Sequence, residues 1–459
     1  MIRFRTKVGL VLVVSTTLGC SASADRYASV RTEAFAGFEE STGDGDRRAV
    51  SPRGRAVFGE ATELSLEAVL RLAEVRNPTL AAARASWQAA VERYPQVTAF
   101  ADPTFGYAFA PGSIDSDESI YGQKIEVAQR FPWPGKLGLR GDSVLGDADA
   151  AGEGFEDARQ HLRHATTEAF YAYWLTHRAI EINRTNQGLL AEFQRIAERR
   201  YGAGLASKSD ALQAEVEHQH LVHRGIALER DRKVAQARLN TLLNLPPKYA
   251  LPSPPVRVAR PKAVAPPREL EVAALESRPE LQSLEHTVTA RAADVEFAHR
   301  EYFPDFAVHA GYNSLWEVVD KRTIVGIAID VPLQLGRREA AVNEAEAIRR
   351  RAQAKLDEAR ADTLLEVSEA YDQLVETEHV VHLYSSSILP VARESLDTAR
   401  VGYEAGSNDF LTLVQSEKSL YLAELTYQEA LAAYHQGRAR LEFAIGRPLV
   451  SLDAVGVQP

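Results

Sequence analysis

The segments Asp305–Val318 (DFAVHAGYNSLWEV) and Thr323–Val331 (TIVGIAIDV) decide the fold. In the first, Phe306, Val308, Ala310, Tyr312, Trp316 and Val318 fall on one face, and Ala307, His309, Gly311, Asn313 and Glu317 on the other. In the second, Val325, Ile327, Ile329 and Val331 face away from Gly326, Ala328 and Asp330. Two earlier segments, 97–110 and 119–131, alternate in the same way. Phe105, Tyr107 and Phe109 interleave with Thr104, Gly106 and Ala108, and Tyr121, Ile125 and Val127 with Gly122, Lys124, Glu126 and Ala128. A period of two predicts strands. One apolar, aromatic face and one small or polar face is what a membrane-spanning β-barrel strand needs, with lipid outside and water inside. Each segment has about the 9–11 residues required. A half-buried soluble sheet shares this alternation. Four strands cannot close, and an open edge in lipid strands backbone groups at several kcal/mol each. An inserted chain must therefore oligomerise. Two copies give a barrel filled by its own side chains, and three give twelve strands and room for a lumen.

Around the strands the chain is helical. Residues 337–401 contain no glycine and one proline, Pro390. As a helix this stretch spans roughly 95 Å. Leu356, Ala359, Thr363, Leu364, Val367, Ala370 and Leu374 recur at coiled-coil steps. A counterpart at about 139–200 is of similar length, though interrupted by glycines.

Landmarks recur at an offset near 200. Asn77-Pro78 matches Arg278-Pro279, Tyr94-Pro95 matches Phe303-Pro304, Phe131-Pro132 matches Val331-Pro332, and Tyr201-Gly202-Ala203-Gly204 matches Tyr403-Glu404-Ala405-Gly406. The same order in both halves indicates a tandem duplication. The expected organisation is a first repeat at 62–245, with strands 97–110 and 119–131 and a helical hairpin 139–245. A second repeat at 268–450 has strands 305–318 and 323–331 and a hairpin 337–445, followed by a tail at 451–459. Each half opens with a helix, at about 65–93 and 268–302. Residues 246–267 hold eight prolines and read as a stiff linker.

The 459 residues carry 53 basic and 63 acidic groups, a net charge of −10. That balance argues against nucleic acid, which needs a basic face. The single cysteine, Cys20, excludes an internal disulfide and a thiolate zinc cage. It follows Arg3, Arg5, Lys7 and the apolar stretch Val8–Leu18, the pattern of an export signal. Leu18-Gly19-Cys20-Ser21 resembles a bacterial lipoprotein signal, with residues 1–19 removed and Cys20 acylated, palmitate included. Thr17 stands where an aliphatic residue is usual, so ordinary signal cleavage is the alternative. Residues 20–61 are Gly-, Ser- and charge-rich and read as a tether or an extended wrap.

The duplicated strand–strand–hairpin plan, Asn77-Pro78, Arg278-Pro279-Glu280-Leu281, the Pro-rich exits at 131–136 and 331–337, and Tyr403-Glu404-Ala405-Gly406 followed by Leu411 and Leu413 resemble the TolC-like outer-membrane efflux family. The resemblance spans about 62–450. It implies an α+β membrane protein: a homotrimer whose twelve-stranded β-barrel, four strands per protomer, continues into a long α-helical periplasmic barrel. It also implies partners, a periplasmic adaptor protein and an inner-membrane transporter. The stretch from Gln129 to Leu137 looks most like the branch serving heavy-metal cation exporters of the resistance–nodulation–division (RND) type. By the same resemblance the turns at Tyr201–Ser207 and Tyr403–Ser407 are the periplasmic tips. Tyr201, Gly204, Ser207, Tyr403, Gly406 and Ser407 would then meet the adaptor. Family gates carry acidic rings beyond the second tip glycine. Here Thr412 and Gln415 occupy those positions, with Asp409 and Glu417 close by and Asp210 in the first half. Asp409, Gln415, Glu417 and Asp210 are the gate candidates. Asp409 could equally cap the returning helix.

No enzyme signature is present: no H-E-x-x-H, P-loop, G-x-S-x-G or strand-to-helix G-x-G-x-x-G. The expectation is no catalysis, no cofactor and no bound metal. His218, His220 and His223 cluster on a helix, but only the last two share a face, and a solvated face explains them. His309 is a weaker metal candidate. The expected function is a passive exit duct in the bacterial outer membrane, lipid-anchored and fed by an inner-membrane pump. The rivals are a type I secretion duct and a lipid-tethered periplasmic coiled-coil scaffold.

Overall fold

The computed structural model describes residues 21–36, 58, 62–113, 122–259, 265–316 and 318–449. The signal, Cys20 and the tail at 451–459 lie outside these residues. In chain order the elements are α1 (Ser21–Phe35), α2 (Leu66–Arg76), α3 (Pro78–Val91), α4 (Tyr94–Thr98), β1 (Thr104–Phe109) and β2 (Gln123–Phe131). The long α5 (Lys136–Gly202) and α6 (Lys208–Leu242) follow. Then come α7 (Pro267–Ser277), α8 (Pro279–Arg300), β3 (Asp305–Asn313), β4 (Thr323–Asp330), α9 (Leu335–Leu383), α10 (Leu389–Ala405) and α11 (Phe410–Ile445). The chain forms two compact units, each drawing on both halves of the sequence.

The first unit, residues 1–40, 86–152 and 284–355, contains the sheet. Its antiparallel order is β1-β2-β3-β4. The register keeps the two faces separate across all four strands. Phe105 lies opposite Val127, Val127 opposite Ala310, and Ala310 opposite Val325. Gly106, Glu126 and Gly311 line up on the other face. Lys136, almost fully buried where β2 hands over to α5, binds Asp305 Oδ1 at 2.8 Å and Glu301 at 3.3 Å. The backbone N–H of Trp133 donates to the same Asp305 oxygen at 2.8 Å.

The strands are shorter than the alternation predicts. Residues 97 and 98 close α4, which Pro95 opens, and β1 begins only at Thr104. Pro95 presets a helical φ and gives up only an N–H that a first turn leaves unpaired anyway. The tether reading of residues 20–61 is corrected over Ser21–Phe35, which is helical. The Ser23 hydroxyl donates to Asp142 at 2.8 Å, Arg31 pairs with Glu92 at 2.7 Å, and Tyr27 stacks on Tyr94 at 4.8 Å. The glycines of α5 do not interrupt it. At Gly146 a Cβ would lie 2.8 Å from the Ala290 Cβ, so the glycine permits close packing of α5 on α8.

The second unit, residues 41–85, 153–283 and 356–459, holds the helical core. Trp174, Tyr173, Phe170, Leu239, Val367 and Leu374 are buried there. The helices expected at 65–93 and 268–302 are each broken at a proline. Asn77 (φ −71°, ψ 123°) and Arg278 (φ −73°, ψ 119°) take the extended backbone that a following proline imposes. Asn77 Oδ1 accepts from the Thr79 N–H at 2.9 Å, and its Nδ2 donates to the Leu242 carbonyl at 3.0 Å. The Ser277 hydroxyl donates likewise to the Ile445 carbonyl at 2.9 Å. The Pro-rich stretch is strapped to this unit: Leu64 N–H donates to Ser253 O at 2.9 Å, and Trp174 Nε1 to Pro255 O at 2.8 Å. Tyr384–Ile388 form a π-helical turn between α9 and α10. Pro390 explains it, because its ring excludes the regular bond to residue 386.

Candidate functional site

The two helical turns of the second unit bring the predicted tip residues together. In the first, Gly204 (φ +71°) reverses the chain and Ser207 caps α6, accepting from the Ser209 N–H at 3.1 Å. In the second, Gly406 (φ +84°) ends α10, its N–H donating to Gly402 and Tyr403 carbonyls. Asp409 then caps α11: its Oδ1 accepts from the Thr412 N–H at 2.8 Å and the Thr412 hydroxyl at 2.5 Å. Those bonds hold its carboxyl below the usual range. Tyr201, Gly204, Ser207, Gly406 and Ser407 are exposed, whereas Tyr403 is buried.

Tyr403 links the two turns. Its hydroxyl donates to Asp210 Oδ2 at 3.1 Å, and its ring meets Phe410 edge-on at 5.3 Å. Burial first, then the Asp210 carboxylate, pushes the phenol up to about 12. Arg200, at the end of α5, completes the link. Its Nη1 donates to the Glu404 carbonyl at 2.6 Å, its Nη2 to the Leu205 carbonyl at 3.3 Å, and its guanidinium lies 4.9 Å from the Tyr403 ring centroid. Arg200 was not singled out from sequence. Its only signal there is a basic pair, Arg199-Arg200, in the last turn of a helix, where cations meet free carbonyls.

The four acidic or amide candidates differ in placement. Gln415 and Asp409 are exposed, and Asp210 is half-buried against Tyr403. Glu417 is 4% exposed, within the protomer, and its Oε1 is fully buried, so it presents little of its carboxyl group to solvent. His220 and His223 are exposed on α6. Among the described residues no group of three or more His, Cys, Asp or Glu side chains is placed to hold a metal ion.

The sheet offers a second feature. Val325, Ile327, Ile329, Phe105 and Tyr107 are all well exposed, so nothing described in the first unit covers its apolar face. β1 and β4 each pair on one side only. On the polar face Lys124 pairs with Glu126 at 2.6 Å and Arg130 with Asp330 at 3.7 Å. Among the described residues no helix is long and apolar enough to cross a membrane.

Comparison with known proteins agrees with this architecture. Residues 270–447 match the family model for outer membrane efflux proteins. The cobalt-zinc-cadmium resistance protein CzcC of Cupriavidus metallidurans is 22% identical over 394 residues, covering 84% of this chain and 91% of that protein. The alkaline protease secretion protein AprF of Pseudomonas aeruginosa is 25% identical over 311 residues, 64% of this chain and 63% of that protein. Among solved structures, CusC superposes with a TM-score of 0.72 at 17% identity, over 84% of this chain and 92% of that one.

Proposed function

From its membership of the TolC-like outer-membrane efflux family, we propose that the chain is the passive outer-membrane exit duct of a tripartite export system. One observation carries the reading: a four-stranded sheet with an uncovered apolar face and two unpaired edges. Lipid would cover the face, and the edges call for further copies of the same chain. Three copies supply twelve strands and a lumen lined by Lys124, Glu126, Arg130, His309 and Asp330. The order helix, helix, strand, strand, long helix, returning helix in both halves supports a tandem repeat. The duct needs no cofactor and performs no catalysis. An inner-membrane transporter supplies energy, and a periplasmic adaptor meets the exposed tips at Tyr201, Gly204, Ser207, Gly406 and Ser407. An acylated Cys20 anchors the chain to the outer membrane, with the helices in the periplasm.

Asp210, Tyr403 and Arg200 form the latch of the resting tip in this reading. They join the two hairpins by hydrogen bonds that must break if the hairpins separate. Gln415 and Asp409 are the exposed candidates for lining the constriction. The metal-resistance relative aligns over more of both chains than the secretion relative, which favours heavy-metal cations as cargo. The AprF alignment favours the second reading, a type I protein-secretion duct.

The test uses mature protein with Cys20→Ser, extracted from outer membranes in mild detergent. A trimeric mass and discrete conductance steps in a planar bilayer are expected. Tyr403→Phe removes a bond to a carboxylate worth roughly 1.5–3 kcal/mol, so open time should rise. A species that stays in solution without detergent would overturn the duct and leave the coiled-coil scaffold. Complementation separates the cargoes: restored cobalt, zinc or cadmium tolerance supports cations, and restored protein secretion supports the alternative.

A further inference from the structure

Glu417 stands on the buried face of α11, in line with Phe410, Leu413, Val414, Leu420 and Tyr421. Its Oε1 has no hydrogen-bond partner among the described residues. The cluster packed there joins both hairpins: Phe193, Ile196 and Ala197 from α5, Ala214 from α6, Leu396, Ala399 and Tyr403 from α10. A carboxylate without a partner in such surroundings is expensive, whereas the neutral acid is tolerated. The protomer alone already encloses the side chain, and assembly can only enclose it further.

We propose that Glu417 is a pH-set wedge between the two helical hairpins. As the neutral acid it packs inside the cluster, and as the carboxylate it drives α11 away from α6 to reach water. The charged groups acting on it are few. Glu217 on α6 opposes its ionisation, and Lys418, beside it on α11, favours ionisation to a smaller extent. The apolar residues packed there carry no charge; Arg200 on α5 and Asp210 on α6 reach the cluster through Tyr403, and its titratable members are the phenols Tyr403, Tyr384 and Tyr427.

Burial, with Glu217 adding to it, pushes the packed carboxyl up to about 7 from an ordinary 4.5. The sign follows. Below the ordinary value the acid is neutral whether the hairpins are packed or apart, and packing is at full strength. As the pH climbs from there towards 7 the packed form loses ground, and above 7 the loss is complete. A gap of two to three units corresponds to roughly a 300-fold shift in the equilibrium between packed and separated hairpins. The proposal deepens the duct reading, since separating the hairpins also opens the Asp210–Tyr403 link. Its test does not depend on conduction.

The experiment takes the detergent-extracted protein with Cys20→Ser, which leaves no other cysteine. Nitroxides are placed at Leu212→Cys on α6 and Leu411→Cys on α11, both exposed, and labelled protomers are diluted with unlabelled ones. Electron–electron double resonance then reads the distance within one protomer from pH 5 to 9. The expected result is a longer or broader distribution at high pH, with a midpoint between 4.5 and 7. Glu417→Gln should hold the short distance throughout, and Glu217→Gln should move the midpoint to lower pH. A wild-type distance that ignores pH overturns the wedge, as does a Glu417→Gln protein that responds like the wild type. If Glu417→Gln fails to assemble, the Glu217→Gln midpoint decides: a shift supports the wedge and an unmoved midpoint overturns it. Absent conductance with an intact distance response would sink the duct and leave the wedge standing.

Discussion

Gly406 closes the second hairpin at φ +84°, in a region that side chains resist. Gly406→Ala should therefore cost about 1–2 kcal/mol. The loss should appear as a lower midpoint for heat-induced loss of helical circular dichroism, and an unchanged midpoint would mean that the turn relaxes. Single residues were legible in sequence to the extent that their work is local. Asp409, three residues ahead of Thr412 at a helix start, carried the capping signal in its spacing. The burial of Glu417 was also readable, since Phe410, Leu413, Val414 and Leu420 set an apolar face at steps of three and four that includes it. Its charge type drew attention to the gate instead. Arg200 could not be found this way. Its partners Glu404 and Tyr403 lie two hundred residues away and meet it only after both hairpins fold.

At the scale of elements, the alternation in β3 and β4 fixed which side chains share a face, and the register keeps that division across the sheet. Ile327 and Ala328 are adjacent in β4 but point to opposite faces. Ile327→Glu places a charge on the apolar face, at a cost somewhat below the roughly 2–4 kcal/mol that an arginine or lysine carries near a bilayer midplane, and less towards its surface. Ala328→Glu joins a face that already holds Glu126 and Asp330. Outer-membrane fractions should contain trimer for Ala328→Glu and little for Ile327→Glu; equal amounts would show that the apolar face does not meet lipid. Element ends were harder to read than element faces. Residues 97–103 share the strand's composition, yet Pro95 opens a helical turn through Thr98, and local backbone restriction overrides side-chain pattern there. The breaks at Asn77 and Arg278 have the same cause. In each helix the apolar period runs on past the proline, and the backbone does not.

For the whole molecule, the two units differ in how much of their apolar surface one chain covers. The second unit buries Trp174, Tyr173, Phe170 and Leu239 within one chain. The first leaves β1 and β4 with free edges and an uncovered apolar face. Among the described residues neither edge pairs with a further strand, so in the proposed duct closure of the sheet and assembly are one equilibrium, whose position depends on concentration. Stability should accordingly be uneven along the chain. Diluting the proposed trimer in detergent should raise amide exchange first across the edge strands, 104–109 and 323–330, while residues 170–182 of α5 stay protected. Hydrogen–deuterium exchange read by mass spectrometry at two or three protein concentrations measures this directly. Concentration-dependent protection confined to the strands is the expected outcome. Strand protection that is the same at every concentration would mean that the sheet is complete in a single chain, which the unpaired edges forbid for a barrel. Loss of protection in strands and core helices together would mean that the helical unit, too, folds only in the assembly.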